Sequence, residues 1–299
     1  MTKATRHKLE AAAVTLLAAC VSPLPRALAL ALGRALGGIW GRLDRRHRAI
    51  ARDGLRQSFP DWDDARLERT ARAVYGHFGC ILVDILWLSR HSGDRMHASV
   101  EWEGIEHFTA ARATGRGILF FTGHLGNWEV LAVDHAHVRR AVAVIARPLD
   151  NPILDERLCA FRRRAGNSVI PKRHALAHVL RTLRTGQDVA ILIDQNVQEQ
   201  DGIFVEFFGR PAATTTAAAA LALKTNCILM PVRSRLLPDG RYRLAYEPPV
   251  TWQASADHRA DIARLTQLLT QRIEAWVHEA PEQWLWIHRR WKTQPAARP

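Results

Sequence analysis

Two residues in the stretch Phe120-Phe-Thr-Gly-His-Leu-Gly-Asn-Trp-Glu129 are of types that move protons. An imidazole whose second nitrogen is held by a carboxylate is oriented to act as a general base toward a hydroxyl, and the carboxylate stabilises the imidazolium that results. His124 and Glu129 have that chemistry at an offset of five residues. On one continuous helix the offset sets side chains about 140° apart, so the two meet only if His124 precedes the first helical turn and the chain bends at Gly126. Gly123 and Gly126 make the bend accessible. On spacing alone, a structural histidine and a solvated glutamate are the commoner outcome.

A strand must deliver His124 to that turn, and residues 117–124 (GILFFTGH) have the apolar character of one. Similar segments recur at 141–147, 167–171, 188–194 and 227–236, separated by helical stretches, and residues 241–250 add a strand after the Pro238-Asp239-Gly240 turn. Strands that are apolar throughout and alternate with helices predict an α/β fold, a mostly parallel central sheet flanked by helices. Residues 44–89 read as helical, with Asp61-Trp-Asp-Asp as a capping region, and 256–291 read as a closing helix. Thr214, Thr215 and Thr216 read as the cap of the helix after them.

The 299 residues, 47% of them hydrophobic, suffice to bury a core and exclude disorder as the main state. A net charge of +13 admits nucleic acid, an anionic membrane surface or an acidic carrier as partner. The basic residues are dispersed and no nucleic-acid motif accompanies them, which sets nucleic acid aside. Five of the 42 basic residues are lysines; the arginine excess suits phosphate binding and equally a compositional bias. Cys20, Cys80, Cys159 and Cys227 are too far apart for a zinc site or a disulfide framework, so no metal and no cofactor is expected. His135 and His137 read as surface histidines.

Ahead of this lie two apolar runs, 11–21 and 27–41, split by Ser22-Pro23-Leu24-Pro25-Arg26. Neither reaches the roughly 20 residues that span a bilayer as a helix. Lys3, Arg6 and Lys8 before the first run resemble the start of a secretory signal. A membrane-associating segment over 1–42, a signal peptide and a pair of core helices all fit. The expected division is 1–42 as the membrane segment and 43–299 as the catalytic domain.

The block Thr122-Gly-His-Leu-Gly-Asn-Trp-Glu129 resembles the H-x4-D/E motif of the glycerolipid acyltransferase superfamily. Further stretches narrow the likeness to the late acyltransferases of lipid A biosynthesis. Arg147-Pro148 with Asn151-Pro152 and Asp155 is similar to that family's R-P-x-x-N-P block, and Asp194-Gln195 to its D-Q step. Val205-Glu-Phe-Phe-Gly209 with Ala213-Thr-Thr-Thr216, and the ending Pro281-Glu-Gln-Trp-Leu-Trp-Ile-His-Arg-Arg-Trp-Lys292, follow in the family's order. The resemblance runs from about residue 70 to the end. It departs at Asn196–Asp201, where the family often carries an aromatic residue and a longer basic loop.

The resemblance implies a single acyltransferase domain that moves a fatty acyl group from an acyl carrier protein thioester to a hydroxyl of a lipid A precursor. Another membrane glycolipid or amino-lipid is the alternative acceptor. His124 would be the base and Glu129 its orienter, so that removing either costs chemistry and leaves the fold intact. Backbone N–H groups from Gly126 to Trp128 would hold the oxyanion. Arg162, Asp194, Arg147, Gln195 and Asn127 are the candidate substrate-binding residues. Arg162 would pair with Glu129 or bind phosphate. Asp194, at the end of a buried strand, serves the site or caps the next loop, and Arg147 contacts phosphate or holds structure. Trp284, Trp286 and Trp291 with His288, Arg289 and Arg290 form an interfacial belt or pack a terminal helix on the sheet. The expected location is the cytoplasmic face of the inner membrane, where a soluble donor and a lipid acceptor meet.

Overall fold

Leu119 and Phe121 point to one side of a central strand and Ile118 and Phe120 to the other, and all four are buried, which requires cover on both faces of a sheet. The computed structural model, described here over residues 1–171 and 175–296, supplies that cover. The last three residues of the expected catalytic domain, 297–299, lie outside the described residues.

In chain order the elements begin with four helices, α1 (Lys3–Val21), α2 (Arg26–Leu43), α3 (Arg45–Ser58) and α4 (Asp64–Leu88). Next come α5 (Gly93–His97), β1 (Val100–Glu103), α6 (Ile105–Ala113), β2 (Ile118–Thr122) and α7 (Trp128–Val138). They are followed by β3 (Ala143–Ala146), α8 (Pro152–Arg163), β4 (Ser168–Pro171), α9 (Ala175–Arg184) and β5 (Val189–Leu192). The hairpin β6 (Ile203–Phe207) and β7 (Arg210–Thr214) leads to α10 (Ala217–Thr225), β8 (Ile228–Leu236), β9 (Tyr242–Tyr246) and α11 (His258–Glu279). The large sheet has the order β1-β9-β8-β2-β5-β3-β4, parallel except between β8 and β9, and the hairpin forms a separate two-stranded antiparallel sheet. The α/β expectation stands.

Leu119 and Phe121 join a core that includes Ile273 and Trp276 of α11, Leu55 of α3 and Phe207 of the hairpin. Ile118 and Phe120 face Val130 and Val133 of α7, Phe108 of α6 and Val83 and Trp87 of α4. Each such side chain, fully buried, contributes about 1.5–3 kcal/mol. Helix α4 is preceded by Asp63, whose side chain caps the first turn by accepting the Arg66 N–H, as the acidic run predicted. Among the described residues α4 is the one helix long and apolar enough to cross a membrane, but 67% of its apolar window is buried in this fold.

Both N-terminal runs are helices. Helix α2 lies so close on α4 that a Cβ at Gly37 would land on the Tyr75 carbonyl, and one at Gly33 would stand 2.6 Å from the Gly79 carbonyl. Glycine is what lets the two backbones touch. Leu28, Leu36, Ile39, Trp40 and Leu43 of α2, with Leu9 and Leu16 of α1, stay exposed on the outside.

Three expectations are corrected. The closing helix ends at Glu279; residues 281–292 form a 3-10 turn and an irregular strap, because Pro281 supplies no N–H to continue the helix. Of the three threonines expected as a cap, Thr214 lies in β7 and Thr216 occupies the N-cap of α10 with no side-chain bond, while Thr215 Oγ1 accepts the Ala217 N–H at 3.3 Å. His135 is buried at 4% exposure, its Nδ1 2.5 Å from the Tyr246 hydroxyl, whereas His137 is a surface residue beside Asp94.

Candidate active site

Thr122, the last residue of β2, stands level with Leu192 at the end of its parallel neighbour β5. Carried two residues further, that register sets His124 beside Asp194 at the carboxyl ends of adjacent strands, where α/β sheets leave their crevice. His124 Nδ1 lies 2.7 Å from Asp194 Oδ1, and the His124 backbone N–H donates to Oδ2 at 2.6 Å. The Trp284 indole N–H donates to the same Oδ2 at 2.7 Å. Asp194 is 5% exposed. Burial works against its charge, but the adjacent imidazole and the converging donors outweigh burial and hold the carboxyl down at about 2. An ionised carboxylate only accepts, so in the neutral imidazole the proton belongs on Nδ1 and the lone pair on Nε2. That is the form a general base requires. The amide nitrogen of Gln195 is 3.3 Å from Nε2, which places Gln195 beside the His124–Asp194 pair.

The expectation that Glu129 orients His124 is corrected. Glu129, in the first turn of α7, is buried against Arg162 of α8, with Nε to Oε2 at 2.8 Å and Nη2 to Oε1 at 2.6 Å. The planar guanidinium engages both carboxylate oxygens, and no hydrogen bond joins Glu129 to the His124 imidazole. Burial of the guanidinium lowers its proton affinity, and Glu129 more than offsets this, raising it. Trp128 touches both groups: its ring meets that of His124 edge-on at 4.9 Å between centroids, and its indole N–H donates to Glu129 at 3.2 Å. Of the two roles open to Arg162, the structure shows the pairing.

Asn127 is also corrected. Its side chain is fully buried and spent: Oδ1 caps α7 at the Val130 N–H, and Nδ2 donates to the Tyr242 hydroxyl at 3.1 Å. It shapes the turn and has no atom left for substrate. Arg147 follows β3 at the same edge of the sheet, 80% exposed and 3.5 Å from Asp150, without a bond to the His124–Asp194 pair. The turn needs its glycine: Gly126 has φ +59°, and a Cβ there would collide with the Ser234 carbonyl. The Gly126 N–H donates to the Gln283 carbonyl and the Asn127 N–H to Ser234 Oγ. Of the three expected oxyanion donors, Trp128 N–H at the start of α7 is the one not engaged among the described residues.

Of the two readings open to the tryptophans after Pro281, interfacial belt or packing, the structure shows packing for Trp284 and Trp286, with Trp291 partly buried. Trp284 and Trp286 are each 1% exposed, and Arg290, equally buried, donates to Ala213 O at 2.6 Å and to Thr214 Oγ1. Burial lowers Arg290 to about 10, with Asp194 acting in the opposite sense, and burial lowers the His288 imidazole to about 4. Sequence spacing gave no sign that Trp284 would reach Asp194, 90 residues earlier. No three His, Cys, Asp or Glu side chains converge as a metal site among the described residues. A cavity of about 330 Å³ lies at the opposite, amino ends of the strands, lined by Gly117, Leu183 and Asn226.

Compared with known proteins, residues 2–293 match the family described as bacterial lipid A biosynthesis acyltransferase. The chain is 28% identical over 285 residues to the lipid A biosynthesis lauroyltransferase of Escherichia coli, covering 93% of this chain and 90% of that protein. It is 25% identical to the palmitoleoyltransferase of the same organism, covering 91% and 87%, and 24% identical to the myristoyltransferase, covering 87% and 79%.

Proposed function

We propose that this chain, which belongs to the bacterial lipid A biosynthesis acyltransferase family and is an acyl-transferring enzyme, uses His124 and Asp194 to acylate a hydroxyl of a lipid A precursor from an acyl carrier protein thioester. The observation that carries the reading is the hydrogen-bonded pair at the strand ends, with Nδ1 on an ionised carboxylate and Nε2 left as the acceptor. In the reaction Nε2 takes the hydroxyl proton as the oxygen attacks the thioester carbonyl carbon. The tetrahedral intermediate carries an oxyanion, which the Trp128 N–H at the start of α7 stabilises. The C–S bond then breaks, and the leaving thiolate recovers the proton from the imidazolium. No acyl-enzyme is needed, and Asp194 holds the ring and balances its transient charge.

The donor assignment draws on charge. A surface of net +13 attracts a strongly anionic carrier, an attraction that salt screens. The location draws on the exposed Leu16, Leu28, Leu36, Ile39 and Trp40 of α1 and α2 and on Lys3, Arg6 and Lys8 at the chain start. Apolar side chains entering acyl chains with cations among anionic headgroups hold a protein on a membrane surface, here the cytoplasmic face of the inner membrane. Since α2 packs backbone to backbone on α4, residues 1–42 act as the membrane-facing side of one body with the catalytic domain.

The test is transfer of radiolabelled acyl groups by purified protein to a lipid A precursor, from acyl carrier protein or from coenzyme A, at rising salt. The reading expects the carrier protein to be the faster donor at low salt, with a rate that falls as salt rises, and no turnover by His124→Ala. Equal rates from both donors at low salt defeat the donor assignment. A labelled product only with another glycolipid moves the acceptor, and a tenth of the rate surviving in His124→Ala defeats the mechanism.

A further inference from the structure

The strap after α11 does more than close the chain. On one side of the catalytic turn the Leu285 N–H donates to the His124 carbonyl at 3.1 Å, and on the other the Gly126 N–H donates to the Gln283 carbonyl at 3.1 Å. These two bonds make a short antiparallel bridge between Leu125 and Trp284. From the middle of that bridge the Trp284 indole reaches Asp194 Oδ2. Its ring is fixed by edge contacts with Phe207 of the hairpin at 5.5 Å and with Trp286 at 4.7 Å. One short segment of the strap is thereby tied through Gln283 and Leu285 to the backbone around His124 and through the Trp284 indole to the carboxylate beside it.

We infer that Trp284 is a positioning residue of the His124–Asp194 pair, its indole N–H fixing the rotamer and hydrogen-bond supply of the carboxylate while its chain neighbours Gln283 and Leu285 clamp the turn that carries His124. The inference rests on the reading that this pair is the catalytic one. A donor on Oδ2 draws charge from the carboxylate, so that Oδ1 holds the imidazolium less strongly than an Asp194 with two donors would. Taking the indole N–H away leaves more negative charge on Oδ1 and raises the proton affinity of His124. The carboxylate is also freer to rotate out of line. The charged and titratable groups that share this environment are His288 and Arg290, both on the same strap.

The experiment compares Trp284→Phe with Trp286→Phe in the full chain. Trp286 is the matched control: it is equally buried, its indole N–H donates to the Pro281 carbonyl at 2.6 Å, away from Asp194, and phenylalanine there keeps an aromatic ring against Trp284. Trp284→Phe is expected to lower kcat by about tenfold, the usual effect of losing a hydrogen bond to a charged group. KM for both substrates stays as it is, and the acid limb of the kcat–pH profile moves up by a few tenths of a unit. Trp286→Phe loses comparable thermal stability and leaves the limb in place. An unmoved limb in Trp284→Phe, or equal movement in both variants, overturns the inference. If Trp284→Phe does not fold, tryptophan-labelled wild-type protein gives the answer by NMR. The Trp284 indole N–H resonance shifts as His124 titrates, and an indole resonance indifferent to that titration overturns the inference. Asp194→Asn separates the two levels: wild-type turnover there takes the underlying reading down, whereas lost turnover with a wild-type profile in Trp284→Phe removes only the role of Trp284.

Discussion

Replacing Glu129 by alanine should cost this protein fold stability. The Glu129 and Arg162 side chains are 6% and 11% exposed and joined by two short hydrogen bonds. Deleting the carboxylate leaves a guanidinium buried without its counter-ion, a defect that costs about 3–5 kcal/mol. A chain of 299 residues melts with an entropy of roughly 0.6 kcal/mol/K, so the midpoint should fall by about 5–8 °C. Differential scanning fluorimetry of the wild type, Glu129→Ala, Arg162→Met and the double variant Glu129→Leu/Arg162→Met measures it. Both single variants should lose stability, and the double variant should regain most of it, since an apolar pair of similar volume carries no desolvation penalty. A Glu129→Ala midpoint within about 1 °C of wild type would refute the reasoning. The sequence expectation that its loss would spare the fold did not reckon with an arginine on α8 as the partner of Glu129.

Acid should destabilise the protein well above the carboxylate range. Burial holds the imidazoles of His135 and His288 at about 3 and about 4, against an ordinary value of 6.5, so below pH 6.5 the unfolded chain binds protons that the folded chain refuses. Stability is fully present above that value and is lost as pH falls through it toward the folded values, so melting midpoints should drop between pH 7 and 4.5; a flat series contradicts this. Gly37→Ala should destabilise by about 1–3 kcal/mol, because α2 must lift off the Tyr75 carbonyl, and an unchanged urea midpoint would show that the helices do not touch there. The triple variant Leu36→Glu, Ile39→Glu and Trp40→Glu should move the protein from anionic vesicles to the supernatant in a sedimentation assay at unchanged melting temperature, whereas retention on the vesicles would assign the attachment to another surface.

The turn that carries His124 was legible because its signals are local: an apolar strand and two glycines around the histidine. The partner of His124 was not, because no spacing relates residue 124 to residue 194; only the parallel register of β2 and β5 brings them level. Asp194 stood out as a carboxylate at a strand end, yet the nearer Glu129 claimed the orienting role by proximity in sequence. The strap from Pro281 was read as helix since its tryptophans and Ile287 recur at intervals a helix would use; Pro281 and the bonds to the His124 turn override that pattern. Strands β1 and β7 escaped notice for a related reason. The first is a four-residue edge strand with two glutamates, the second contains Pro211, and neither has the apolar run that marked the central strands.

Turnover by Asp194→Asn tests most directly whether the His124–Asp194 pair performs the transfer. The asparagine keeps the size of the side chain, but its amide can turn a donor toward Nδ1, favouring the tautomer that protonates Nε2 and removes the base. With acyl carrier protein thioester and a lipid A precursor as substrates, kcat should fall by about 10³–10⁴-fold while KM for each substrate stays within a few-fold. A folded Asp194→Asn protein that retains a tenth or more of the wild-type kcat would contradict the assignment of Asp194 as the residue that holds the base.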